Sequence, residues 1–115
     1  MTSHTRGLQA EILAIVYLFF KGYRILKWRF KTPMGEIDIL AEKSGQLVCV
    51  EVKQRADLNG ALEAVTPMMR GRIARCARLF VAKNPGYLKN SIRFDLIAIS
   101  GLHIRHLDNA WFEPT

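Results

Sequence analysis

The segment Leu47-Val48-Cys49-Val50-Glu51-Val52-Lys53 constrains the fold more than any other part of the chain. A strand with one wet face alternates polar and apolar residues. This run is almost unbroken and rich in β-branched residues, so it suits a central strand covered on both sides. Amphipathic helical patterns precede and follow it. The fold class is therefore α/β, a mixed β-sheet of about five strands flanked by helices. With 115 residues, half of them hydrophobic and 23% charged, the chain has enough material for one core and not for two, so residues 1–115 form a single domain.

The remaining elements follow from periodicity. From Thr5 to Lys21, residues Leu8, Ile12, Ile15, Val16 and Phe19 recur at helical spacing, and Lys21-Gly22 supplies a stop. Projected around that helix, Glu11 falls at the edge of the apolar arc. Tyr23 to Phe30 alternates, with Leu26, Trp28 and Phe30 on one face. After a turn at residues 31–35, Glu36 to Glu42 alternates again, Ile37, Ile39 and Ala41 opposing Glu36, Asp38 and Glu42. A second turn leads into Leu47, which makes an antiparallel meander. Ala61 to Val65 reads as a short helical piece. Thr66 and Pro67 fit the cap and first turn of a helix reaching Lys83, with Met69, Ile73, Cys76 and Phe80 as its apolar stripe. Ser91 to Ile99 and Leu102 to Leu107 read as two further strands, and residues 109–115 as a tail packed through Trp111 and Phe112.

Glu51 and Lys53, two apart in a strand, share a face, and a four-residue turn brings Asp38 of the neighbouring strand close if the register allows. Adjacent carboxylates repel unless a proton or cation lies between them, and an oxygen-only donor set selects Mg²⁺ or Mn²⁺ over Zn²⁺. Such an ion, with Asp38 and Glu51 as its ligands, would activate water at a phosphodiester, with Lys53 positioning the water or offsetting phosphate charge. The bland alternative is a strand-end ion cluster in which one lysine neutralises two acids.

Charge points to the same class of partner. Seventeen basic residues against ten acidic give a net charge of +7 and a pI near 9.9, which favours nucleic acid or another polyanion as partner, with a solvated basic surface as the bland alternative. Arg55 is a candidate phosphate contact, and Arg70, Arg72, Arg75 and Arg78 form a basic flank on the long helix. Trp28 and Tyr23 are expected in the core, with base stacking as the alternative use. Asp95 reads as a structural ion-pair residue. His103 and His106, three apart in a strand, point to opposite faces and are excluded as a ligand pair. Cys49 and Cys76 read as lone thiols. The apolar run Ile12 to Phe20 is shorter than the roughly 20 residues a membrane span requires, and it lacks a cleavage site. A cytoplasmic protein is expected.

Taken together, Ala10-Glu11-Ile12-Leu13-Ala14, Tyr17-Leu18, Gly22 to Leu26, Gly35-Glu36-Ile37-Asp38, Val50-Glu51-Val52-Lys53, Glu63-Ala64-Val65 and Arg93-Phe94-Asp95 make the chain resemble the YraN family. That family belongs to the restriction-endonuclease-like superfamily and is similar to archaeal Holliday junction resolvases. The resemblance implies a Mg²⁺-dependent endonuclease, with Asp38 and Glu51 as metal ligands, Lys53 as the catalytic lysine and Glu11 as the helix acid completing the site. Glu36 is a weaker candidate, since a role in capping the turn would also explain it. The resemblance also implies DNA ahead of RNA as substrate, branched DNA among the candidates, and a homodimer. Two positions depart from the family pattern: Gln54 stands where a threonine is usual and Met69 where a lysine is usual, leaving Arg70 or Arg72 to replace the lysine. A non-catalytic nucleic-acid-binding or accessory module that keeps the fold is the alternative function.

Overall fold

The computed structural model describes residues 3–113, and every side chain from Leu47 to Val52 is buried within it. The elements run α1 (Ser3–Phe20), β1 (Arg24–Thr32), β2 (Gly35–Lys43), β3 (Gln46–Lys53), α2 (Leu58–Glu63), α3 (Pro67–Lys83), a short 3₁₀ turn (Pro85–Tyr87), β4 (Ser91–Ser100) and β5 (His103–Trp111). The five strands form one sheet in the order β1-β2-β3-β4-β5. Only β3 and β4 pair in parallel; the other neighbours are antiparallel. The parallel step needs a crossover, which α2 and α3 provide.

Each face of β3 feeds a separate core. Leu47, Cys49, Leu96 and Ala98 pack with Ile73, Ala74, Cys76, Ala77 and Phe80 of α3. Val48, Val50, Val52, Ile97 and Ile99 pack with Ala10, Ala14 and Leu18 of α1. The expected mixed sheet between helices is thus present, and Cys49 and Cys76 are free, buried thiols. Thr66 caps α3 as its sequence indicates, its Oγ1 accepting the Met69 N–H at 3.3 Å. α2 begins earlier than its apolar residues suggest, because Asp57 accepts the Gly60 N–H at 2.7 Å and starts the helix at Leu58.

Several expectations need correction. α1 buries Ala10, Ala14 and Leu18, whereas Ile12, Val16 and Phe19 of the expected apolar stripe are exposed. Two alanines let the helix approach the sheet closely, and close backbone approach outweighs the larger residues' transfer energy on this face. β5 extends to Trp111, which is buried and stacked on Phe94, while Phe112 is exposed; residues 114–115 of the expected tail lie outside the described residues. In β2, Ile37 joins the α3-side core but Ile39 and Ala41 join the α1-side core. The phase of β1 changes at the same level: Phe30 faces α3, whereas Trp28 bonds to a residue of α1. Two irregularities cause this: a bulge between Ile25 and Lys27 separates Leu26 from Trp28, and Arg29, whose left-handed backbone (φ 55°) lies across from Asp38, separates Trp28 from Phe30.

A buried polar knot ties α1 and the α1–β1 turn to β4 and β5. Asp95 is fully buried. It accepts from Arg93 Nε and Nη2 at 2.8 and 2.7 Å, from the Asn109 N–H at 3.0 Å, and lies 2.8 Å from His106 Nε2. Arg93 also donates to the Tyr23 hydroxyl, and the Tyr17 hydroxyl meets His106 Nδ1 at 3.1 Å. The expected ion-pair role of Asp95 is therefore observed. Burial alone would raise its carboxyl, but the bonds from His106, Arg93 and the Asn109 N–H outweigh burial and hold it below its ordinary value.

A carboxyl depressed in the folded state adds stability above its unfolded value, near 3.9, and loses it as pH falls through the folded value. Asp95→Ala should cost about 3–5 kcal/mol at neutral pH, since it leaves the Arg93 charge buried and uncompensated. Urea denaturation should show the gap between wild type and variant narrowing below about pH 4. A gap independent of pH would refute the electrostatic account.

Candidate metal centre

The ladder between β2 and β3 runs from Lys43↔Gln46 to Ile39↔Val50 and stops there. Beyond that point the strands part, and side chains take over the bonds the ladder would have made. The Val52 N–H donates to Asp38 Oδ2 at 2.9 Å, and the Asp38 N–H donates to Glu51 Oε1 at 3.4 Å. This exchange fixes the two acids across the gap, which is the register the sequence left open. In a strand the N–H and C=O of one residue point the same way, so the Val52 carbonyl faces the gap too.

The gap opens into a cavity of about 250 Å³, lined by Gly35, Glu36, Asp38, Glu51, Lys53, Met69, Arg72 and Ile73. Asp38, Glu51 and Lys53 are thus brought together under the start of α3. Glu51 is only 4% exposed. Its carboxyl is pushed well above the ordinary carboxylate range by burial and then by the charge of Asp38. Asp38 is also raised, by burial first, with Glu11 adding to the rise and the Val52 N–H and Lys53 opposing it. Two such groups hold a shared proton, or give it up to a cation.

The remaining candidates separate clearly. Glu36 lines the cavity, two residues before Asp38. Glu11 does not line it: Oε1 accepts from Trp28 Nε1 at 2.8 Å and Arg29 Nε at 2.9 Å, and Oε2 from Arg29 Nη2 at 3.2 Å. Its side chain is largely buried, as its place on the helix implied, and its charge reaches Asp38 without entering the cavity. Arg72 lines the cavity beside Met69. Arg70 instead lies over the Trp111 ring and donates to the Val65 carbonyl at 3.1 Å. Arg55 is exposed outside the cavity and donates to the Gln54 carbonyl at 2.8 Å. His106 is committed to Asp95 on the opposite face. A larger groove of about 580 Å³ between α1 and the β4–β5 turn has no ionisable side chain in its lining, so it offers no acid–base or metal chemistry.

Sequence reasoning did not select Arg72 over Arg70. The signal lies in Gly35: a β-carbon there would come within 3.2 Å of Arg72 Cβ and 3.7 Å of Cδ. The glycine (φ +145°) leaves room for the Arg72 stem to lie across the strand end.

Asp38 and Glu51 supply hard oxygen donors. Among the described residues, no three His, Cys, Asp or Glu side chains group closely enough to hold a metal by themselves. Mg²⁺ is often bound by one or two carboxylates with water and substrate phosphate completing its shell, and this donor set fits that mode.

Comparison with known families assigns the chain to a family. Residues 10–99 match the profile described as "Uncharacterised protein family UPF0102". The chain belongs to the UPF0102 family. This is the restriction-endonuclease-like YraN group that the sequence motifs resemble. A UPF0102 protein of Caulobacter sp. (strain K31) is 49% identical over 106 residues, which cover 91% of this chain and 76% of the relative. One from Caulobacter vibrioides (strain NA1000 / CB15N) is 46% identical over 91% of this chain and 85% of its own length. A UPF0102 protein of Rhodopseudomonas palustris (strain BisA53) is 46% identical over 95% of this chain and 85% of its own.

The raised acid pair has a measurable cost. A carboxyl whose folded value lies above its unfolded one destabilises the fold at high pH and is relieved as pH falls through the folded value. Glu51→Gln should therefore be more stable than wild type at neutral pH, by about 1 kcal/mol or more, and the advantage should shrink towards the unfolded carboxylate value near 4.3. Thermal melts across that range would test this. Equal melting of wild type and variant at neutral pH would refute it.

Proposed function

We propose that this protein is a divalent-metal-dependent endonuclease that hydrolyses phosphodiester bonds in nucleic acid. The observation that carries the proposal is the joint placement of Asp38, Glu51 and Lys53 around one cavity where β2 and β3 part. Buried, unneutralised carboxylates are costly, and sites that retain them commonly use them. A basic balance of +7 suits a polyanionic substrate.

In this reading Asp38 and Glu51 hold Mg²⁺ or Mn²⁺, which supplies positive charge at the phosphoryl oxygen and acidifies a water. Asp38, held in place by the Val52 N–H, needs no reorganisation on binding. Lys53 orients the attacking water and offsets charge growing on the phosphate. Arg72, its stem laid over Gly35, meets an adjacent phosphate in place of the lysine that Met69 replaces. Glu11 acts at one remove, fixing Trp28 and Arg29 beside Asp38 and adding negative charge that favours a bound cation. DNA, branched DNA included, is the proposed substrate, and a homodimeric, cytoplasmic enzyme is the proposed form. Among the described residues no helix is long and apolar enough to cross a membrane.

A non-catalytic nucleic-acid-binding or accessory role is the second reading. What favours it is that, among the described residues, no three acids group closely enough to hold a metal by themselves. Cleavage of branched, flapped and single-stranded DNA with Mg²⁺ or Mn²⁺ separates the readings. Asp38→Ala and Lys53→Ala should each reduce cleavage by about a hundredfold or more while leaving the fold intact. Salt-dependent binding without cleavage of any substrate would instead support the accessory role.

A further inference from the structure

β1 is an edge strand, and it carries Arg24, Lys27, Arg29 and Lys31 with no acidic residue. In its middle sits Trp28, 43% exposed, whereas Tyr23 and Trp111 are buried. A lysine-rich edge that repels other strands would explain the charges but not an exposed indole among them. The indole is also fixed: its Nε1 donates to Glu11 Oε1 at 2.8 Å, and both oxygens of Glu11 are tied to Arg29. Arg29 adopts its left-handed backbone directly opposite Asp38, a strained conformation that surrounding structure must hold in place. The strain keeps Trp28 on the α1 side of the sheet, paired with Ile39, one residue from the candidate ligand Asp38.

We propose that Trp28 is a stacking platform for an unpaired nucleobase of a DNA strand that runs along β1. The inference rests on the nuclease reading and narrows its substrate to nucleic acid with a single-stranded segment. A flat π-face suits any base, and basic side chains on either side follow the backbone. A paired base, stacked on both sides within a duplex, has no free face to offer. Because Glu11 and Arg29 already hold the ring, little side-chain freedom is lost when a base docks.

Trp28 is the exposed tryptophan and Trp111 the buried one, so fluorescence reads the platform directly. Without divalent cation, saturating oligothymidine should quench the exposed emission, and a blunt duplex should quench it much less. Trp28→Leu should weaken oligothymidine binding by roughly tenfold and leave duplex binding within about twofold, whereas Trp28→Phe should retain most of the affinity. Residual Trp111 emission and circular dichroism confirm that each variant is folded. Oligothymidine affinity unchanged in Trp28→Leu, unchanged emission at saturation, or equal losses for oligothymidine and duplex would overturn the platform while leaving the nuclease reading intact. Tighter binding of oligouridine than of oligothymidine would overturn the assignment to DNA. Failure to bind either polymer at low salt would overturn both readings.

Discussion

Burial of β3 on both faces is the constraint on which the rest of the structure depends. A strand with no wet face requires a helix layer above and below, and a parallel neighbour requires a crossover long enough to hold one of those layers. α1 covers one side, and the α2–α3 crossover covers the other while returning the chain to β4. The same burial makes Glu51 expensive, because a carboxylate there loses water and gains the charge of Asp38. Parting β2 from β3 at that level offsets the cost, since backbone N–H groups freed from the ladder become donors to the acids.

Much of this was legible in the sequence. The meander, the Thr66-Pro67 start of α3 and its stripe through Ile73, Cys76 and Phe80 rest on local signals, and local signals survive tertiary packing. Asp38, Glu51 and Lys53 could be chosen because ionisable residues inside apolar strands are costly without a purpose. What sequence could not show was orientation set by contacts distant in the chain. α1 turns its alanines inward because closeness to the sheet, not side-chain size, decides the packing there. The phase change at Arg29 and Asp38 moved Trp28 to the other face and split Ile37 from Ile39. Simple alternation has no term for a left-handed residue within a strand.

The same distortion explains why Glu11 stands beside the cavity and not in it. Arg29 occupies the space between the helix acid and Asp38 and takes both of the helix acid's oxygens. Likewise Arg70 and Arg72 look equivalent in sequence, yet helical geometry sends one to Trp111 and the other to the lining of the cavity. In each case a charged residue was identifiable, and its partner was set by neighbours far away in the chain.

The polar knot around Asp95 also bears on the order in which the chain assembles. Arg93 and Tyr23 are 70 residues apart, and Tyr17 and His106 are 89 apart. Contacts of that span must first meet the entropy of closing a long loop, while the hairpins of the meander close short ones. On entropic grounds the knot is therefore expected to close after the hairpins, so that the link it makes between the two ends of the chain completes the fold and does not start it.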